Sequence, residues 1–134
     1  MFHCPYDLLL HESKIENPKQ KQRFKEILFL LEWKYAIDYG RQLLGLKWFK
    51  NGTTCFHVGS NISNKTLKES FTLDEAIWLE ETLSQLGEKT DFDLSHLLVS
   101  TYPFIVTNSG SPFLDLVTLM KDYKKFLAST KKPQ

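Results

Sequence analysis

Between Lys19 and Tyr39 the apolar residues recur at helical spacing. Phe24, Ile27, Leu28, Leu31 and Tyr35, closed by Ile37 or Asp38, follow i, i+3, i+4, i+7 steps, the mark of one buried helical stripe. Asn17-Pro18 is a start signal, because Asn accepts an orphan backbone N–H and Pro at the first helical position gives up no needed donor. Gly40 is the stop, since glycine enters the left-handed C′ conformation cheaply. The run Ile27-Leu28-Phe29-Leu30-Leu31 is apolar on every side, which predicts a central helix covered on more than one face.

After Gly40 the period changes. Leu46–Lys50 and Thr53–Val58 flank Asn51-Gly52, and an Asn-Gly pair between two such runs predicts a hairpin with a type I′ turn. A lone hairpin is marginal in water, so this one must pack on helices. A short first helix is expected over Tyr6–Lys14, and a polar surface loop over Gly59–Ser70. Thr72-Leu-Asp-Glu75 is a capping box opening a helix from Leu73 to Leu86, with Gly87 as its C′ residue. Asp93 is expected to cap a shorter helix through Ser100, ended by Thr101-Tyr102-Pro103. Asn108–Pro112 reads as a second loop, and Ser111-Pro112 as the opening of a last helix carrying Phe113, Leu116, Val117, Met120 and Leu127.

The elements add up to a mainly α (α+β) fold, a compact helical domain of four to five helices with a small β-hairpin. One globular domain is expected over 1–130, with 131–134 a frayed tail. Length and composition agree. The chain has 134 residues, 42% apolar and 25% charged, which is enough for one core and unlike a disordered chain. The net charge of +1 gives no electrostatic footprint for nucleic acid or an anionic membrane surface. No apolar run approaches the about 18 residues of a membrane span. The first residues lack a basic-then-apolar leader pattern, so a cytoplasmic setting is expected, and the Asn-x-Ser/Thr triplets at Asn51, Asn61 and Asn64 read as chance.

Catalytic signatures are sparse. No G-x-S-x-G and no glycine-rich phosphate loop occurs. The carboxylates of Asp74-Glu75, Glu80-Glu81 and Asp91/Asp93 suit helix starts and exposed faces. His3-Cys4 and Cys55-x-His57 could meet as four tetrahedral ligands, yet their spacing lacks a C-x-x-C or H-x-x-x-H pair. No catalytic residue, metal ligand or cofactor is therefore assigned. A small metal- or thiol-dependent enzyme using Cys4, Cys55 and His57 is the alternative reading. Aromatic residues are more informative. Trp33, Trp48, Phe49, Phe56, Tyr102 and Phe104 exceed the obvious needs of one small core, and aromatic side chains are favoured anchors at protein interfaces.

The order of these features resembles a known family. Lys25-Glu-Ile-Leu-Phe-Leu-Leu-Glu-Trp33, followed by Tyr39-Gly40-Arg41-Gln42-Leu43, is similar to the opening of the Panacea domain, the SocA-like antitoxin family of bacteria and phages. The hairpin Gly45–Thr54 stands at that family's central segment, with Gly52 at its glycine. Phe71-Thr-Leu-Asp-Glu75 and Leu94–Pro103 resemble its later helices. Thr53 and Gln42 stand where the family has proline, and the closing His and Trp are missing, which marks a divergent member. The resemblance spans about Arg23 to Val106. It implies a protein-binding domain without enzymatic chemistry, an antitoxin that neutralises a cognate toxin or an adaptor to a protease. A phage or mobile-element accessory protein that binds a host protein is a related possibility. The residues expected to contact a partner are Trp33, Arg41, Trp48, Phe49 and Phe56.

Overall fold

The computed structural model describes residues 2–107 and 112–131. Among these the chain runs α1 (Pro5–Lys14), α2 (Pro18–Tyr39), β1 (Leu46–Asn51), β2 (Thr54–Ser60), α3 (Asn64–Leu67), α4 (Leu73–Gly87), α5 (Asp91–Ser100), α6 (Tyr102–Val106), β3 (Phe113–Leu114) and α7 (Leu116–Lys131). This is the expected mainly helical α+β domain. Two of its helices, α3 and α6, are single turns, and the sheet has a third strand.

α2 is the axis. Its Asn17 side chain accepts from the backbone N–H groups of Lys19 and Gln20, and Gly40 closes it at φ +76°. Every residue from Glu26 to Trp33 is buried, because α1, α4, α5, α7 and β2 all pack on it. Two of those residues are charged, Glu26 and Glu32. The Glu32 carboxylate is wholly enclosed and accepts from five donors. Three are consecutive backbone N–H groups, those of Leu44, Gly45 and Leu46. The other two are Gln42 Nε2 at 3.0 Å and Trp48 Nε1 at 2.8 Å. Gly45 lies at φ +62°, the left-handed position that lets successive N–H groups converge on an anion. A Cβ there would stand 2.6 Å from Ile62 Cγ1, so glycine is required twice over. Burial pushes the Glu32 carboxyl up from its ordinary range, and the Trp48, Leu44, Gln42 and Leu46 donors oppose that push.

The sheet order is β2-β1-β3, antiparallel throughout. Trp48, His57 and Leu114 share the inner face, and Phe49, Phe56 and Phe113 are paired across the outer face. Lys50 points inward, where its ammonium donates to the carbonyls of Phe104 and Thr107 at the end of α6. Trp48 packs edge-on to Phe29, which in turn meets Phe104.

Several expected details differ. Asn51 pairs with Thr54, so the turn is Gly52-Thr53. Only Gly52 has positive φ, and type I′ needs both central residues there. Gly87 is not in the left-handed region, and α4 ends on Glu88 in right-handed conformation. Thr90 rather than Asp93 caps α5, its side chain accepting from Asp93 N–H. The expected loop after Gly59 contains α3, whose Ser63 caps Thr66 N–H. The last helix starts at Leu116, with Asp115 bonding Thr118 N–H, because Phe113-Leu114 is drawn into the sheet. The loop expected over Asn108–Pro112 lies outside the described residues as far as 111, and the tail does so from 132 onward.

Candidate functional site

The central helix is not covered on all sides. Leu30, Trp33 and Ile37 floor a groove of about 990 Å³, and Lys34 lines its rim. The four step by i, i+3, i+4, i+7, one face of α2. α4 supplies Thr82, Gln85 and Leu86 to one wall, and α7 supplies Tyr123 and Phe126 to the other. The end is closed by Leu97 and Ser100 of α5 and by Tyr102, Ile105 and Val106 of α6.

Four aromatic rings line this groove in sequence. Trp33 lies 5.6 Å from Tyr123, Tyr123 5.2 Å from Tyr102, and Tyr102 6.3 Å from Phe126, measured between ring centroids. The floor is dry protein, with Trp33 only 7% exposed, while the lip is wet: Ile105 is 69%, Phe126 53% and Val106 46% exposed. These three exposed apolar residues are contiguous with the apolar floor, whereas Leu73 and Phe92, also exposed, lie outside the groove lining. The rim carries Lys34, Glu88 and Lys89. Arg23 sets the turn that holds the last two. Its guanidinium donates to Asp91 at 2.7 Å and to the carbonyls of Gly87 and Lys89 at 3.1 and 2.7 Å, so one cation closes the end of α4 and anchors the start of α5.

The expected partner-contact residues are dispersed. Trp33 is on the groove floor. Arg41 is not in the groove lining; it lies over the Tyr35 ring and 3.5 Å from Glu75 in α4's first turn. Phe49 and Phe56 stack on the outer face of the sheet, where Phe113 joins them. Trp48 is a correction. It is fully buried and donates to Glu32, because strand alternation turns it inward when Phe49 turns outward. An adjacent Trp-Phe pair in a strand cannot present both rings to one surface, so Trp48 has a structural role and no partner contact. Of the other surplus aromatics, Tyr102 lines the groove and Phe104 belongs to the core.

A second polar cluster surrounds Glu75. Its carboxylate accepts from Tyr35 Oη at 2.7 Å and completes the capping box with Thr72. Burial raises this carboxyl, but the hydrogen bonds from Thr72 and Tyr35 outweigh it and hold the group below the ordinary range. Burial and the hydrogen bond to Glu75 both push the Tyr35 phenol upward, so it stays protonated and donates.

Two residues of the metal or thiol reading, His57 and Cys55, have other surroundings. Among the described residues no three His, Cys, Asp or Glu side chains are grouped to hold a metal ion. His57 Nε2 faces the Glu12 carboxylate at 2.8 and 3.0 Å. Cys55 is buried, and burial pushes its thiol up to about 12, the opposite of an activated thiolate.

The groove was half legible in the sequence. Trp33 and Tyr102 are surplus aromatics in the sequence, but Tyr123 and Phe126 fall on a helix whose other apolar residues account for it, and Ile105 lies on α6, a turn that the pre-proline stop hides. No helix among the described residues is long and apolar enough to cross a membrane. Comparison with known proteins adds no relative: no family model, curated protein or solved structure matches the chain.

Proposed function

We propose that the chain is a non-enzymatic protein-binding domain of antitoxin type, acting in the cytoplasm on a cognate toxin or as an adaptor that presents one to a protease. The observation that carries this reading is the aromatic groove with its exposed apolar lip. Trp and Tyr in a concave, largely desolvated setting are the usual anchors of a protein interface, and the lip would lie open without a partner. The order of motifs from Lys25 to Pro103, similar to the Panacea domain, points the same way. The buried thiol of Cys55 and the pairing of His57 with Glu12 weigh against the thiol or metal alternative. Phe49, Phe56 and Arg41 remain proposed as secondary contacts, since all three keep solvent access.

The test joins binding to effect. The tagged chain is expressed in its source cells, and what co-purifies at one-to-one stoichiometry is identified. That protein is then expressed alone and with the chain. Growth arrest by the partner alone, relieved by co-expression and restored by Phe126→Lys, is the expected result. A stoichiometric partner that is harmless when expressed alone removes the antitoxin reading.

A further inference from the structure

We infer that the groove over α2 receives an amphipathic helix of the partner, its apolar ridge flanked by acidic residues. The inference rests on the protein-binding reading above and specifies the occupant.

Its first support is the shape of the lining. Three elements present helical stripes to the same gap: Leu30, Trp33 and Ile37 from α2, Thr82 and Leu86 from α4, and Tyr123 and Phe126 from α7. Both wall helices pack on α2. Surfaces built of i, i+3, i+4 ridges accept another ridge of the same kind. What fits between two helices and on a third is a fourth helix, about 10 Å across with its side chains.

The second support is exposure. A small molecule held in a pocket buries most of its own surface and is enclosed by the lining. Here Ile105, Val106 and Phe126 stand at the lip about half or more exposed. A ligand seated on the floor leaves them wet, whereas a helix reaches from the floor to the lip along its length.

Charge completes the assignment. Lys34 and Lys89 line the rim, and neither is ion-paired among the described residues. The Lys34 ammonium lies 6.0 Å from the Trp78 ring centre, and among the described residues Glu88 is the one acid of the lining. The rim is thus net positive. It selects acidic residues on the flank of the incoming helix opposite Lys34 and Lys89, and disfavours basic ones there.

The experiment uses the full chain and a displayed library of random peptides long enough for about three to four helical turns. Enriched peptides are expected to carry apolar residues at i, i+3 or i+4, and i+7, with acidic flanks. Their binding should fall at least about tenfold in Phe126→Lys and in Ile105→Glu. Both positions are exposed, so an unchanged melting temperature shows that the fold survives. The double variant Lys34→Glu/Lys89→Glu should shift selection toward basic flanks. Proline placed mid-peptide should abolish binding. Enrichment of extended or proline-rich peptides, no enrichment, or binding indifferent to Phe126→Lys overturns the inference. So does saturable binding of palmitate without peptide binding, which assigns a small amphiphile. Self-association lost in Phe126→Lys assigns a second copy and overturns it equally. Peptide binding that behaves as expected, from a chain whose natural partner is not toxic, leaves this inference standing and removes only the antitoxin reading.

Discussion

Replacing Glu32 tests whether one buried carboxylate fixes the sheet to the central helix. In Glu32→Ala five donors lose their acceptor, three of them backbone N–H groups that cannot turn elsewhere. Each buried donor left unpaired costs about 1–3 kcal/mol, and water entering the vacated space recovers part of that, leaving a loss of about 5 kcal/mol. For 134 residues a total stability of about 7–20 kcal/mol is expected, so this single change removes a large share of it. Glu32→Gln is the sharper probe because it keeps the shape. Its amide oxygen can serve the side shared by Leu46, Trp48 and Gln42, which leaves the –NH2 group facing the Leu44 and Gly45 N–H groups. Two acceptances are lost and two donors confront a donor, while the cost of burying a charge disappears. The balance is a loss of about 2–3 kcal/mol. With a urea slope of about 2 kcal/mol/M, the midpoint moves down by about 1–1.5 M. Urea unfolding followed by circular dichroism reads this, and the indole N–H resonance of Trp48 reports the local bond. A Gln variant within about 0.5 kcal/mol of the parent, with that resonance unmoved, would refute the five-donor assignment.

Three further outcomes follow from the same structure. Gly45→Ala should destabilise by about 2 kcal/mol or more, since alanine is strained at φ +62° and its Cβ meets Ile62; the urea midpoint measures it, and Gly40→Ala, with no atom near its Cβ, should cost less. Glu75 is held below its ordinary range, so the native state binds fewer protons there than the unfolded chain. Its contribution is present above about pH 4.5 and is lost as pH falls through the folded value; Glu75→Gln should be less stable than the parent at pH 7, with the gap closing toward pH 2–3 in pH-resolved melting. Cys4 should alkylate in the native protein well before Cys55, whose thiol is buried and pushed up; mass spectrometry after brief iodoacetamide treatment decides, and equal rates would place Cys55 at the surface.

The long elements were legible because their signals are local. Asn17-Pro18, Gly40 and the Thr72–Glu75 box each fix a helix end within a few residues, and the apolar run of α2 announces its burial. The errors came where a distant element decides. Phe113-Leu114 has the spacing of a helix start, and only the open edge of β1 makes it a strand. Thr90 caps α5 with one hydroxyl, a task Asp93 could equally perform by composition. Glu32 directly follows the apolar run and precedes Trp33, and an acid so placed, about a dozen positions before a glycine, is itself a signal. The sheet-facing side of Trp48 could not be read from a Trp-Phe pair until the pairing with His57 set the alternation. For the groove, the sequence exposes which residues are aromatic but not which side of α2 the other helices leave open.

The two edges of β1 have different histories in the chain. Toward β2 the pairing is a tight hairpin, and the carboxylate ring that holds β1 to α2 closes loops of only 10 to 16 residues. Toward β3 the partner arrives after four intervening helices. Closing short loops sacrifices little chain entropy, and long ones delay their reward. The central helix and its hairpin are therefore expected to form the nucleus, with the third strand docking last. Substitutions at Trp48 should slow folding, while those at Leu114 should chiefly speed unfolding. Because α7 follows directly on β3, the wall carrying Tyr123 and Phe126 is then expected to be among the last parts of the molecule to assemble, and the groove over α2 to be complete only when folding is.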